Sequence, residues 1–362
     1  MIVSLHIKSS HGAANTFIVG GHDPDTFSGL GDKAVRCLDF ENDGTHTNVV
    51  EGFTLCDGAT RDVNGVSGQG GCLHVSESGY SPIKDTTFLV DCVITNCIGA
   101  CAEIAYGGTL MRCRVQDNSF VTSVTGATRF LSNGTAFINT LFFRNHVVDN
   151  TTHVPKSDSI YLSPGGRFVN CTFAHNSAKF YSHNYNDFYN CVFSDTAVGD
   201  GDGARHQNRV NDSTSVRGLI APVFGDVRVR AGSSVVGAGN AAYAADESII
   251  PCQTPFPVER MKDLYGNAIP TSGAICAGCA QEEVVPAAGA VAAYNTGTFF
   301  DLTRQCRGRR HIFTRPTIQC RSAFTAMEPR VRCMRLPPFP ACRCGSRRRQ
   351  FTFRRGRTTR SK

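Results

Sequence analysis

Asn170-Cys171-Thr172-Phe173-Ala174-His175-Asn176 is the stretch that decides the fold, because the chain repeats it. Full copies are Asp91-Cys92-Val93-Ile94-Thr95-Asn96-Cys97, Arg112-Cys113-Arg114-Val115-Gln116-Asp117-Asn118, Asn139-Thr140-Leu141-Phe142-Phe143-Arg144-Asn145 and Asn190-Cys191-Val192-Phe193-Ser194-Asp195-Thr196. Gly52-Phe53-Thr54-Leu55-Cys56-Asp57-Gly58 is a looser, earlier copy. The shared phrase is a polar residue, Cys or Thr, any residue, a large apolar residue, two more, then a small or amide side chain. Self-similarity at such spacing marks a stacked architecture. The second position falls at 53, 92, 113, 140, 171 and 191, so the interval varies from 20 to 39 residues. That unevenness excludes a rigid-length helical repeat and suits coils whose strands are fixed and whose loops vary.

Within each copy the second and fourth positions alternate with the period of a strand and point inward. The inward set is Phe53 and Leu55, Cys92 and Ile94, Cys113 and Val115, Thr140 and Phe142, Cys171 and Phe173, Cys191 and Phe193. A second strand recurs between copies: Gly71–Val75, Cys101–Ile104, Thr128–Leu131, Ser159–Leu162 and Phe180–His183. Two short strands per coil, no helical period, and Gly or Asn at the turns define an all-β fold, a parallel β-helix of about six or more irregular coils. At a strand spacing of about 4.8 Å, six coils stack over roughly 25–30 Å. A single coil fixes more backbone than its few apolar side chains offset, so coils are stable only when stacked. The expected organisation is coils over 1–215, a closing segment over 216–283, and a linker with an Arg/Cys-rich tail of low order over 284–362.

The seventh position reads Gly58, Cys97, Asn118, Asn145, Asn176 and Thr196. Asn tolerates the left-handed region and its amide can bond along the stack, so this column reads as a turn ladder. Inward cysteines on adjacent coils have parallel side-chain directions, which predicts free, buried thiols acting as small apolar residues. Cys276-Ala277-Gly278-Cys279 has the spacing of a redox motif but does not open a helix after a strand.

These stretches together resemble the right-handed parallel β-helix repeat proteins of the pectate-lyase-like superfamily. More narrowly, they resemble polymorphic-outer-membrane-protein-like and choice-of-anchor bacterial surface proteins. The matching phrases are Gly52–Gly58, Gly70–Val75 and the five copies, followed by Ala221–Phe224, Val229–Gly239, Asp263–Asn267 and Gly273–Cys279, so the likeness spans about residues 10–280. It departs at Ala268 and Ile269, where the family carries "PR" after its Asn, and at Ala277-Gly278-Cys279-Ala280, where the family closes on "GAYE". The family's N-terminal cap has no counterpart, so the chain is expected to start inside the helix, truncated, with an uncapped end open to association.

Residues 301–362 carry seventeen Arg and one Lys against Asp301 and Glu328, a net +16 in a chain whose total is +7. The body, 1–300, is therefore acidic at −9, which argues against nucleic acid as a partner of the β-helix. For the tail three readings compete: out-of-frame translation, which is favoured; a disordered arm binding nucleic acid through its arginines; and a small metal knot built on Cys306, Cys320, Cys333, Cys342 and Cys344. Met1–Lys8 lacks the basic and apolar regions of a secretory signal, and no apolar run is long enough for a membrane span.

The resemblance implies an extracellular or cell-surface setting and a polysaccharide or surface partner. Enzymes of the superfamily use Asp-bound Ca²⁺ with a basic residue, or clustered aspartates. The nearest local match is the loop bearing Asp195, Asp200, Asp202, Arg205 and His206. Asp200, Asp202, Arg205 and His206 are its catalytic candidates, and Asp195, Asp200 and Asp202 its candidate Ca²⁺ ligands. Glu103, Arg129 and Tyr161 take similar outward positions of the second strand and are candidate glycan-binding residues, joined by His74 and His183. The leading expectation is a non-catalytic surface β-helix that binds glycans or partners along its flank and needs no cofactor. The alternatives are a polysaccharide lyase or hydrolase, with Ca²⁺ in the lyase case, and a truncated, frameshifted product without function.

Overall fold

A computed structural model describes residues 4–26, 29–42, 47–60, 62–63, 66–67, 70–77, 87–98, 102–104, 108–121, 136–148, 155–156, 159–162, 166–176, 179–182, 186–196, 198–200, 205–212, 218–246, 249 and 261–284. The basic tail with its five cysteines, Arg129, Asp202 and His183 lie outside the described residues.

The chain is a right-handed parallel β-helix. Two eight-stranded parallel sheets run along it, each taking one strand from every coil in sequence order. Six strands of the second sheet come from the repeated phrase, Thr54–Cys56, Val93–Thr95, Arg114–Gln116, Leu141–Phe143, Thr172–Ala174 and Val192–Ser194, and Phe17–Val19 and Val210–Asp212 extend it at its two ends. The first sheet was not anticipated. Its strands are Leu5–Lys8, Asn48–Glu51, Thr87–Val90, Gly108–Met111, Ala136–Ile138, Arg167–Val169, Asp187–Tyr189 and Arg205–Gln207, each from the second coil onward ending two residues before a strand of the second sheet. A coil therefore has three flanks rather than two strands. The third consists of shorter sheets: Leu38–Asn42 with Leu73–Glu77 and Ala102–Ile104; Ser119–Val121 with His146–Val148; and Ser159–Leu162 with Lys179–Ser182 and Val198–Asp200.

Register makes the core a set of rows. Phe137, Phe168 and Phe188 pair in line on the first sheet, and Phe142, Phe173 and Phe193 on the second. Their rings stack at 5.0 and 4.8 Å in one row and 4.6 and 4.8 Å in the other. That is the strand spacing itself, so each ring lies flat on the next without departing from the ladder. Towards the first coils the same rows are filled by Leu, Ile and Val, with Cys92, Cys113, Thr140, Cys171 and Cys191 beside them. Cys92, Cys113, Cys171 and Cys191 are free and buried, as expected, and burial pushes the Cys113 and Cys171 thiols well up. Cys72 and Cys97 depart from that pattern. They belong to different flanks, so their side chains meet across a corner instead of running parallel, and they form a disulfide.

The phrase also encodes two corners. Among the described residues, every non-glycine with positive φ stands at its first or sixth position, or, for Asn208, at the equivalent place two residues before Val210–Asp212. Asp91, Arg112, Asn139, Asn170 and Asn190 take the first, and Asp57, Asn96, Asp117, Arg144, His175 and Asp195 the sixth. Asn and Asp are the non-glycine residues that best tolerate this region. The seventh position is not left-handed, contrary to expectation. Its job is the ladder alone: Asn118 Nδ2 donates to Asn145 Oδ1, and Asn145 Nδ2 to Asn176 Oδ1, both at 3.0 Å. A second ladder, unforeseen, runs through the first position: Asn208 donates to Asn190, Asn190 to Asn170 and Asn170 to Asn139, at 3.2, 2.8 and 3.0 Å.

The closing segment, in its described residues 218–246, 249 and 261–284, packs on the outside of the two long sheets. Val227, Val229, Val235, Cys276, Ala277 and Cys279 bury the outward side chains Leu141, Phe143, Ala174 and Val192. Ile249 and Tyr243 join Val49, Phe88, Val90, Met111, Ala136, Ile138 and Val169 on the first sheet. Backbone contacts fasten it at the Asn corner: Gly278 N–H donates to Asn190 O at 2.7 Å, and Asn190 exchanges two hydrogen bonds with the Asn240 backbone at 2.8 and 2.9 Å. Where it packs, outward positions such as Leu141, Phe143, Val192, Phe88 and Ile138 are thus core positions and not solvated ones free to vary, whereas Phe17 and Val19 at the first coil stay exposed.

Candidate functional site

With much of the two long sheets covered, the third flank places Asp39 and His74 in register, side chain to side chain. Leu38, Phe40 and Leu73 pack into the core, so the residues between them project the other way. Asp39 pairs with His74, and His74 with Glu103, on three successive strands. His74 Nδ1 lies 2.8 Å from Asp39 Oδ1, and Arg36 Nη1 donates to Asp39 Oδ2 at 2.9 Å. Burial opposes ionisation of Asp39, but the hydrogen bond from His74 and the Arg36 guanidinium hold its carboxyl below the ordinary 3.8. An ionised Asp39 can only accept, so His74 Nδ1 is the donor of this bond. The column presents an ionised carboxylate, an oriented imidazole and the Glu103 position at intervals of about 4.8 Å. Such an array can hydrogen-bond successive hydroxyls of an extended ligand.

Further along, Tyr161 and Tyr181 occupy neighbouring register positions on Ser159–Leu162 and Lys179–Ser182. Of the other expected residues, Asp195 sits at a left-handed corner, 3.4 Å from His175 Nε2. Asp200 ends the third-flank strand Val198–Asp200, opposite Ser182. Arg205 opens a strand of the first sheet, opposite Asp187. His206 turns into the core and lies flat on Phe188, with ring centres 4.8 Å apart, as the continuation of the phenylalanine row. Asp195, Asp200 and His206 are thereby spread over a corner, the third flank and the inner face of the first sheet. Asp202 and Arg129 lie outside the described residues. Cys276 and Cys279 are buried free thiols, with Cys279 pushed by burial up to about 12, a poor setting for redox exchange.

Sequence reasoning placed Glu103 and His74 on this flank and missed Asp39 and Arg36. The alternation Leu38-Asp39-Phe40-Glu41 was the signal that could have found Asp39. Among the described residues, the ligand atoms close enough together to hold a metal ion are the sulfurs of Cys37, Cys72 and Cys97. Compared with protein-family models, with curated proteins and with solved structures, the chain matches none.

Proposed function

We propose that this chain is a non-catalytic, extracellular or cell-surface β-helix of the pectate-lyase-like kind that binds an extended polysaccharide along its third flank. The observation that carries the reading is the contrast between flanks. The closing segment covers apolar outward residues of the two long sheets, whereas the third flank aligns Asp39, His74 and Glu103 in one column. Strands stacked at about 4.8 Å give a linear, repeating set of polar groups, and solenoid flanks commonly serve as extended binding surfaces. A binding role is favoured over lyase or hydrolase chemistry because Asp195 is paired with His175 and His206 is packed into the core.

Affinity electrophoresis through a panel of acidic and neutral polysaccharides tests the reading. The chain is expected to be retarded by at least one of them, and Asp39→Ala with His74→Ala is expected to weaken that retardation tenfold or more. Release of reducing ends or unsaturated sugars, with or without Ca²⁺, would replace it with the enzymatic reading; unchanged mobility throughout would remove it.

A further inference from the structure

Three sulfurs converge at the start of the third flank. Cys37 Sγ lies 3.8 Å from Cys72 Sγ, Cys72 is bonded to Cys97, and all three sulfurs fall within 4.8 Å of one another. The backbone sets this up. Leu38 and Leu73 are in register and Leu38 N–H donates to Cys72 O at 2.9 Å, so the cysteine before each is one strand spacing from the other. Cys97 arrives from the corner of the next coil, its N–H held by Asn118 Oδ1 at 3.0 Å. Glycines let the surrounding backbone close in: a Cβ on Gly58 would meet Gly71 O at 2.3 Å and Cys37 Sγ at 3.0 Å. Elsewhere core thiols meet in pairs, Cys92 with Cys113 and Cys171 with Cys191; here there are three.

Sulfurs around a tetrahedral Zn²⁺ at about 2.3 Å stand about 3.8 Å apart, which is the Cys37–Cys72 separation. We propose that Cys37, Cys72 and Cys97 form a three-thiolate site for Zn²⁺ once a dithiol reductant opens the Cys72–Cys97 bond. The dithiol supplies two electrons and two protons and leaves as its own disulfide. Zn²⁺ then displaces three thiol protons to solvent as three Zn–S bonds form. Cys72 and Cys97 are fully buried and Cys37 is half-buried, so the ion comes in on the Cys37 side and takes its fourth ligand from water. Oxidised, the same sulfurs staple two coils; reduced, they hold the metal. This inference stands apart from the glycan reading, since the sulfurs lie beneath the flank and not on it.

The test uses the full chain, reduced under anaerobic conditions and freed of reductant. Zn²⁺ is titrated against a chromophoric chelator, and Co²⁺ serves as the spectroscopic probe. The reduced protein is expected to bind one equivalent that the oxidised protein does not, with a sulfur-to-cobalt charge-transfer band. Cys37→Ala, Cys72→Ala and Cys97→Ala should each lose that equivalent, whereas Cys276→Ala should keep it. Cys37 is half-buried, so Cys37→Asp keeps the test decisive if the buried variants fail to fold: an oxygen ligand should weaken binding and dim the charge-transfer band. No such band in the reduced protein, or the same stoichiometry and spectrum in Cys37→Ala and Cys37→Asp, would overturn the assignment.

Discussion

The corner between the two long sheets and the third flank are built from the same coils on opposite terms. At the corner, the strands Ala136–Ile138, Leu141–Phe143, Thr172–Ala174 and Val192–Ser194 are buried on both faces, the turn residues are locked in amide ladders, and the closing segment seals the outside. On the third flank, strands form separate short sheets, inward Leu and Phe alternate with outward Asp and His, and ion pairs such as Arg36–Asp39 face solvent. The difference teaches that this fold divides its labour by flank. Two flanks and their seal hold the stack together, and the third is left to meet other molecules.

If that division is right, substitutions should separate cleanly by flank. Phe168→Ala carries the largest expected effect. It empties a fully buried position between Phe137 and Phe188 and should cost about 3–5 kcal/mol by urea unfolding. Asn145→Ala comes next. It strips hydrogen-bond partners from Val115 O, Asn176 Oδ1 and Asn118 N–H in the buried interior, worth about 2–3 kcal/mol in the same measurement. Gly278→Ala should cost about 1–3 kcal/mol, because its φ is +87° and a Cβ would sit 2.6 Å from Thr172 Oγ1. Its signature is local: amide exchange should rise in the closing segment before the sheets. His74→Ala should shift stability by no more than about 0.5 kcal/mol while abolishing most polysaccharide retardation. A His74→Ala loss as large as that of Gly278→Ala would erase the distinction between the flanks.

Acid should separate the two regions as well. His146, on the third flank, is pushed below its ordinary 6.5 by burial. It folds neutral, so its stabilising contribution is complete above pH 6.5 and is lost as pH falls through the depressed folded value. Burial works against ionisation of Asp226, on the closing segment, but the hydrogen bonds and charge of Arg228 hold its carboxyl below 3.8. Its contribution is complete above pH 3.8 and goes only below that. Hydrogen exchange along a pH series should therefore show Ser119–Val121 and His146–Val148 loosening first and the closing segment later, and His146→Gln should remove the earlier step.

The inner rows were legible in the sequence because Cys92, Ile94, Phe173 and their counterparts alternate against polar neighbours. The first sheet was not, because strands such as Thr87-Phe88-Leu89-Val90 are buried on both faces and carry no alternation to read. The corners were half legible: polar residues recur at the first and sixth positions, but only backbone geometry shows that these, and not the seventh, take positive φ. Of the candidate site, His74 and Glu103 could be placed on the flank from their strand pattern. Asp39 could have been placed from its own alternation, but not its pairing with His74, which is 35 residues away and exists only once register is known. The Cys72–Cys97 bond was hidden for the same reason, being a meeting of two flanks and not of two equivalent positions.

The two asparagine ladders point opposite ways. From Asn118 through Asn145 to Asn176, each amide donates toward the C-terminal coils, whereas from Asn208 through Asn190 to Asn170 and Asn139, each donates toward the N-terminal ones. Neighbouring backbone groups fix both orientations: Val115 O receives Asn145 Nδ2, and Asn240 N–H binds Asn190 Oδ1. Aligned amides in a single row would add their dipoles with every coil, as an α-helix does with every residue. Two rows of opposed polarity cancel instead, so each further coil lengthens both without building up charge at either end.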